Sequence, residues 1–150
     1  MENLLPIMIH VHSVWRWVVL ILLLAAIFMA FSGWRSKKEF KSAHKKLALF
    51  AMVAFHIQFL GGFILYFISP KVAFVSGFMK VTMLRFFAME HILLMTLAMI
   101  LLTMGYSKSK KIVENYKKFK VIFVFYLISL LIILASIPWP FRTALFSNWY

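Results

Sequence analysis

The chain has 150 residues, 64% of them hydrophobic and 14% charged, with 17 Lys and Arg against four acidic residues and no cysteine. That composition lies far from a soluble domain, and it excludes disulfides, iron–sulfur clusters, thiolate metal sites and covalently attached haem. Asp is absent and Glu occurs only at positions 2, 39, 90 and 114, so a carboxylate-rich calcium or magnesium cage and a Ser-His-Asp or Cys-His hydrolase are excluded as well.

A helix needs about 20 predominantly apolar residues to cross a bilayer. Four segments qualify, from Trp15 to Trp34, Leu47 to Ser69, Phe86 to Tyr106 and Val121 to Ile137. The predicted fold is all-α, a single-domain antiparallel bundle of four transmembrane helices. No Lys or Arg precedes the first run and no small-residue cleavage site follows it, so it is expected to be a span and not a cleaved signal peptide.

His10, His12 and Arg16 open the first run. His12 and Arg16 are four apart and share a helix face. His10 and His12 would suit a metal in a flexible segment, but residues two apart on a regular helix point away from each other. His44, in the first basic loop, is expected to be solvated. The second run carries His56 and Gln58, followed by Gly61-Gly62, which admits either close helix packing or a flat ligand against the backbone. The segment from Pro70 to Arg85 is apolar enough to lie along the interface, while Pro70 and Gly77 argue against a fifth span. Glu90-His91 lies in the third run, and Glu90 is the only carboxylate expected inside the membrane. The fourth run has no ionisable residue and reads as packing. The ten methionines are scattered through the spans and read as core.

Six of the cations fall between Arg35 and Lys46 and six between Lys108 and Lys120. Short loops rich in Lys and Arg stay cytoplasmic, so both termini and the Pro70–Arg85 loop are expected outside. Trp17 and Trp139 would mark the outer interface and Trp34 the inner one. The net charge of +13 is then mostly this orientation signal, plus attraction to an anionic inner leaflet worth about 1 kcal/mol per residue near the surface. No nucleic-acid partner is expected, because the aromatic residues are in the spans.

An ionisable group at the bilayer centre costs roughly 3 kcal/mol. Several of them in one small bundle imply a shared polar site. At 1.5 Å per residue, His56 lies about 15 Å above the inner face, His91 about 23 Å and His12 about 33 Å. This staircase admits a haem b if tilt closes the gaps, a proton relay through Glu90 and His91, or a mononuclear metal on His12, His91 and His10.

His12-Ser13 with Arg16-Trp17, His56-Ile57-Gln58 with Gly61-Gly62 and Leu65-Tyr66, and Arg85-Phe86 with Glu90-His91 together resemble small four-span bacterial membrane proteins described as cytochrome-b-like. The resemblance covers essentially the whole chain and implies a bundle in the bacterial inner membrane and haem b. The leading expectation is electron transfer through one non-covalent haem b, ligated by His91 and His56, with His12 as the alternative ligand. Arg16 and Arg85 would bind the propionates and Glu90 would couple protonation to redox state. A quinone or a respiratory subunit would be the partner. The alternative is a non-catalytic subunit or small carrier. There an Arg16–Glu90 pair and the histidines would fix packing, bind a metal or conduct protons.

Overall fold

The structure, a computed structural model, describes residues 4–147. Four long helices make up the fold: α1 (Leu4–Arg35), α2 (Ser42–Ile68), α3 (Thr82–Lys111) and α4 (Asn115–Ser136). Each is long and apolar enough to cross a membrane, and there is no strand among the described residues. This is a multi-pass helical bundle.

The helices extend beyond the apolar windows that announce them. α1 begins eleven residues before Trp15, since Pro6 stands in its first turn, where a missing N–H is harmless. Its 32 residues span about 48 Å, well over the roughly 30 Å of hydrocarbon. His10 and His12 are therefore both helical. They lie about 200° apart around the axis, His10 exposed and His12 turned inward.

Short connections make consecutive helices antiparallel. α1 packs on α2 and α4, α3 packs closely on α4, and α2 and α3 form the most lightly packed neighbouring pair. Hence α1 and α3 face each other diagonally across the bundle. One end of the bundle carries the start of α1, the end of α2, the start of α3 and the end of α4; we call it the histidine end. The opposite end carries the two Lys-rich connections and is the basic end.

Toward the basic end the helices pack on small residues. Ala26, Ala30, Ala48, Ala51 and Ala98 are completely buried, and a Cβ on Gly33 or Gly105 would collide with the ring of Phe119 or the side chain of Phe125. Small residues let apolar helices approach closely where lipid supplies no hydrophobic drive for association. The buried Tyr126 hydroxyl donates to the Ala48 carbonyl at 2.8 Å, tying α4 to α2. His44 belongs to this framework and is not a solvated loop residue. The Lys41 N–H donates to its Nδ1 at 3.0 Å at the start of α2, and its ring lies 5.0 Å from that of Phe119. Large apolar side chains face outward instead, with Phe28 at 75% and Phe67 at 71% exposure, as a lipid-facing surface requires.

Candidate functional site

α3 departs from α-helical geometry where its sequence becomes polar. Phe86–Glu90 forms a π turn, which inserts a residue and rotates the following face by about 100°. Arg85 and Glu90, five apart, would lie about 140° apart on an α-helix. The wide turn brings them together, and Arg85 Nε donates to Glu90 Oε1 at 2.6 Å. Arg85 also donates to the Met79 carbonyl at 3.2 Å. Each side chain of this pair is about two-fifths exposed (37% and 40%). Glu90 is thus partnered by Arg85.

His91 follows directly. Its Nδ1–H donates to the Ser136 carbonyl at the end of α4, at 2.7 Å. That bond fixes the tautomer and leaves Nε2 with its lone pair. The imidazole lines a cavity of about 230 Å³ between the four helices. Three helices contribute residues one turn apart, His12 and Arg16 from α1, Gln58 and Gly62 from α2, His91 and Met95 from α3, while Ile133 of α4 and Ile137 just after its end complete the set. Side chains spaced by four share a helix face, so α1, α2 and α3 each present one stripe to the same space.

On the α1–α2 side, the Gln58 amide donates to the His12 carbonyl at 2.9 Å and to His12 Nε2 at 3.2 Å. With Nε2 accepting, the proton of a neutral His12 sits on Nδ1. His12 Nδ1 and Gln58 Oε1 are both buried without a hydrogen-bond partner. Leaving such groups unpaired costs about 1–3 kcal/mol each. Gly62 explains how the imidazole fits: a Cβ there would come within 2.9 Å of His12 Cε1. The flat group against the α2 backbone is His12 itself.

Arg16 is 8% exposed, with its guanidinium 5.3 Å from the Trp17 ring and 5.7 Å from that of Trp139. The mouth at the histidine end is roofed by the segment after α4. Phe146 and Ser147 line the cavity, and Lys71 Nζ holds that segment by donating to the carbonyls of Phe146 at 2.7 Å and Leu145 at 3.3 Å. Burial lowers the pKa of Lys71 from its ordinary value. The Tyr66 hydroxyl, also in the lining, donates to the Ala88 carbonyl inside the π turn at 2.8 Å.

The structure therefore brings His12, Arg16 and His91 to one cavity and leaves His56, Arg85 and Glu90 out of its lining. His56 is engaged at both ring nitrogens, Nδ1 with the Met52 carbonyl at 2.7 Å and Nε2 with the Thr103 hydroxyl at 3.2 Å. Thr103 lies twelve residues beyond His91 on the same helix, about 18 Å along its axis, so His56 and His91 are at different depths. Among the described residues no three His or carboxylate side chains gather into a metal site. Gln58, visible in the sequence as a lone amide in an apolar span, is the site residue whose role the sequence left open. The π turn and the carbonyl of Ser136 carry no sequence signal, since neither depends on a side chain. No family model, no curated protein and no solved structure matches this chain.

Proposed function

We propose that the protein binds a redox-active ligand within the membrane and couples the ligand's redox state to proton exchange through His12 and His91. The observation that carries this reading is the pair of unpartnered polar atoms, His12 Nδ1 and Gln58 Oε1, buried beside a cavity that His91 also lines. Buried polar groups are normally satisfied, and a ligand that satisfies these two would recover what their isolation costs. Neutral His12 offers a donor and His91 an acceptor, so protonated and deprotonated ligand forms both find a partner. The basic end, with its twelve Lys and Arg, is the cytoplasmic one in this reading, and the cavity lies toward the outer face of a bacterial inner membrane. Arg85 and Glu90 neutralise each other beside the cavity.

Haem b between His56 and His91 does not fit, because both His56 nitrogens are hydrogen-bonded and its depth differs from that of His91. A second reading keeps haem b with His12 in place of His56. It is favoured by α1 and α3 facing each other diagonally about the cavity, and by Arg16 and Lys71 in the lining as counter-ions for propionates. Such a haem would supply one-electron chemistry when bound.

The test is to purify the protein in mild detergent, record its visible spectrum, extract it with solvent and identify what co-purifies. A stoichiometric redox ligand that is lost from His12→Ala and His91→Ala supports the reading. A Soret band lost from the same two variants selects haem. Protein that carries no ligand, or variants that retain it fully, overturns the reading.

A further inference from the structure

We infer that the cavity accepts the ring of a quinone or hydroquinone taken from the bilayer. The inference rests on the reading above, that a redox ligand occupies this space, and names its chemical class. Size comes first. Pockets for drug-sized ligands run to about 300–1,000 Å³. At about 230 Å³ this cavity suits a single six-membered ring with its substituents.

The polar groups come in two sets on opposite sides. His12 and Gln58 stand on the α1–α2 side, and His91 stands on α3, diagonal to α1. A ligand that satisfies both sets needs an oxygen at each end. A fatty acid or an alcohol has only one polar end. A ring with oxygens in para positions has two, on one rigid axis. Phe55, Phe59 and Phe87 line the space between, and aromatic side chains suit a flat ring in offset or edge contact.

Donor and acceptor inventory matches the hydroquinone at both sets of groups and the quinone at the His12 set. The quinone carbonyl accepts from His12 Nδ1–H. In the hydroquinone, one hydroxyl donates to Gln58 Oε1 and the other to His91 Nε2, whose proton-free state is fixed by the bond from Nδ1–H to Ser136. Arg16 and Lys71 in the lining favour electron-rich oxygen and repel a bare metal cation. An isoprenoid tail would leave between α2 and α3, the most lightly packed neighbouring pair.

The experiment uses the full chain in quinone-free phosphatidylcholine nanodiscs, with saturation-transfer NMR titrations of duroquinone, durohydroquinone under argon, and durene, the same ring without oxygens. Hemin is titrated in parallel by absorbance. Saturable binding of both oxygenated probes is expected, with durene at least about ten-fold weaker. Gln58→Leu and His91→Phe should each weaken durohydroquinone about ten-fold and duroquinone by less. Met95→Trp, which fills the cavity without removing a polar group, should abolish binding at unchanged helical content. Equal affinity for durene and duroquinone overturns the inference and needs no variant to do so. Hemin binding that His12→Ala abolishes, with no saturable duroquinone signal, overturns the quinone while leaving a redox ligand in the cavity. If no probe binds and nothing co-purifies, both the inference and the reading beneath it fall.

Discussion

The two ends of the bundle use their polar residues in opposite ways. Toward the basic end the polar groups of Tyr126, Ser129 and His44 are spent on structure. Tyr126 ties α4 to α2, Ser129 donates to Phe125 within α4, and His44 caps α2. Residues with little or no side chain let the rings of Phe119 and Phe125 pack closely there. Toward the histidine end the packing opens into a cavity, and His12 Nδ1 and Gln58 Oε1 are left without partners. Both ends belong to the same four apolar spans, so the hydropathy of a span does not say which of its ends holds the site. The difference lies in whether a polar atom's partner comes from the chain or must come from elsewhere.

Substitutions in the basic half should break stability without touching the site. Phe119 is fully buried and sits in the notch opposite Gly33. Phe119→Ala should destabilise the fold by about 3–5 kcal/mol, measured by thermal or SDS unfolding. Gly33→Ala forces a methyl against that ring and should cost about 1–3 kcal/mol. Combining it with Phe119→Leu should recover part of the loss relative to the sum of the single variants. Strict additivity would mean that the two residues do not share the space described.

In the histidine half the expected pattern reverses. Gln58→Leu gives up two hydrogen bonds worth about 0.5–1.5 kcal/mol each but also removes a buried unpaired oxygen costing about 1–3 kcal/mol. The unfolding midpoint should therefore change little while ligand retention falls sharply. His56→Leu is the matched control, because that side chain is engaged away from the cavity; it should leave ligand retention at the wild-type level. A drop in retention with His56→Leu and none with Gln58→Leu would reverse the roles assigned to the two residues.

The sequence displays most of this fold and about half of the site, for identifiable reasons. Apolar run length announces the four helices, although α1 begins at Leu4 and not at Trp15, since His10, His12 and Ser13 separate the apolar stretch Leu4–Ile9 from the main run. The i,i+4 spacing of His12 and Arg16 places both in the cavity lining, as a shared helix face requires. Depth counted by rise per residue set His56 nearer to His91 than the structure does. Such counting assumes parallel axes and inner ends at one level, and the contact of His56 with Thr103 shows that the ends counted from are not level. The π turn at Phe86–Glu90 joins Glu90 to Arg85, a pairing that α-helical spacing disfavours. Main-chain partners such as the Ser136 carbonyl have no residue-type signature at all.

The smallest expected effect concerns the strap that covers the histidine end. Lys71 holds the carbonyls of Leu145 and Phe146 and lies 5.1 Å from the centre of the Phe87 ring. Desolvation lowers its folded-state pKa below the ordinary lysine value of about 10.4. Below the folded pKa the amine is charged in both states, and the burial penalty is fully present. Between the two pKa values the unfolded chain binds more protons than the folded one, so stability rises with pH. Above the unfolded value the penalty is gone. The unfolding midpoint of the wild type should therefore climb relative to Lys71→Met as pH is raised from neutrality toward about 10, a small slope because the side chain is only partly buried. A midpoint difference that stays constant, or falls, across that window would mean that the strap is held by an amine that burial does not disfavour. The contrast between a structurally spent basic end and a histidine end held under electrostatic cost would then lose its strap while keeping its cavity.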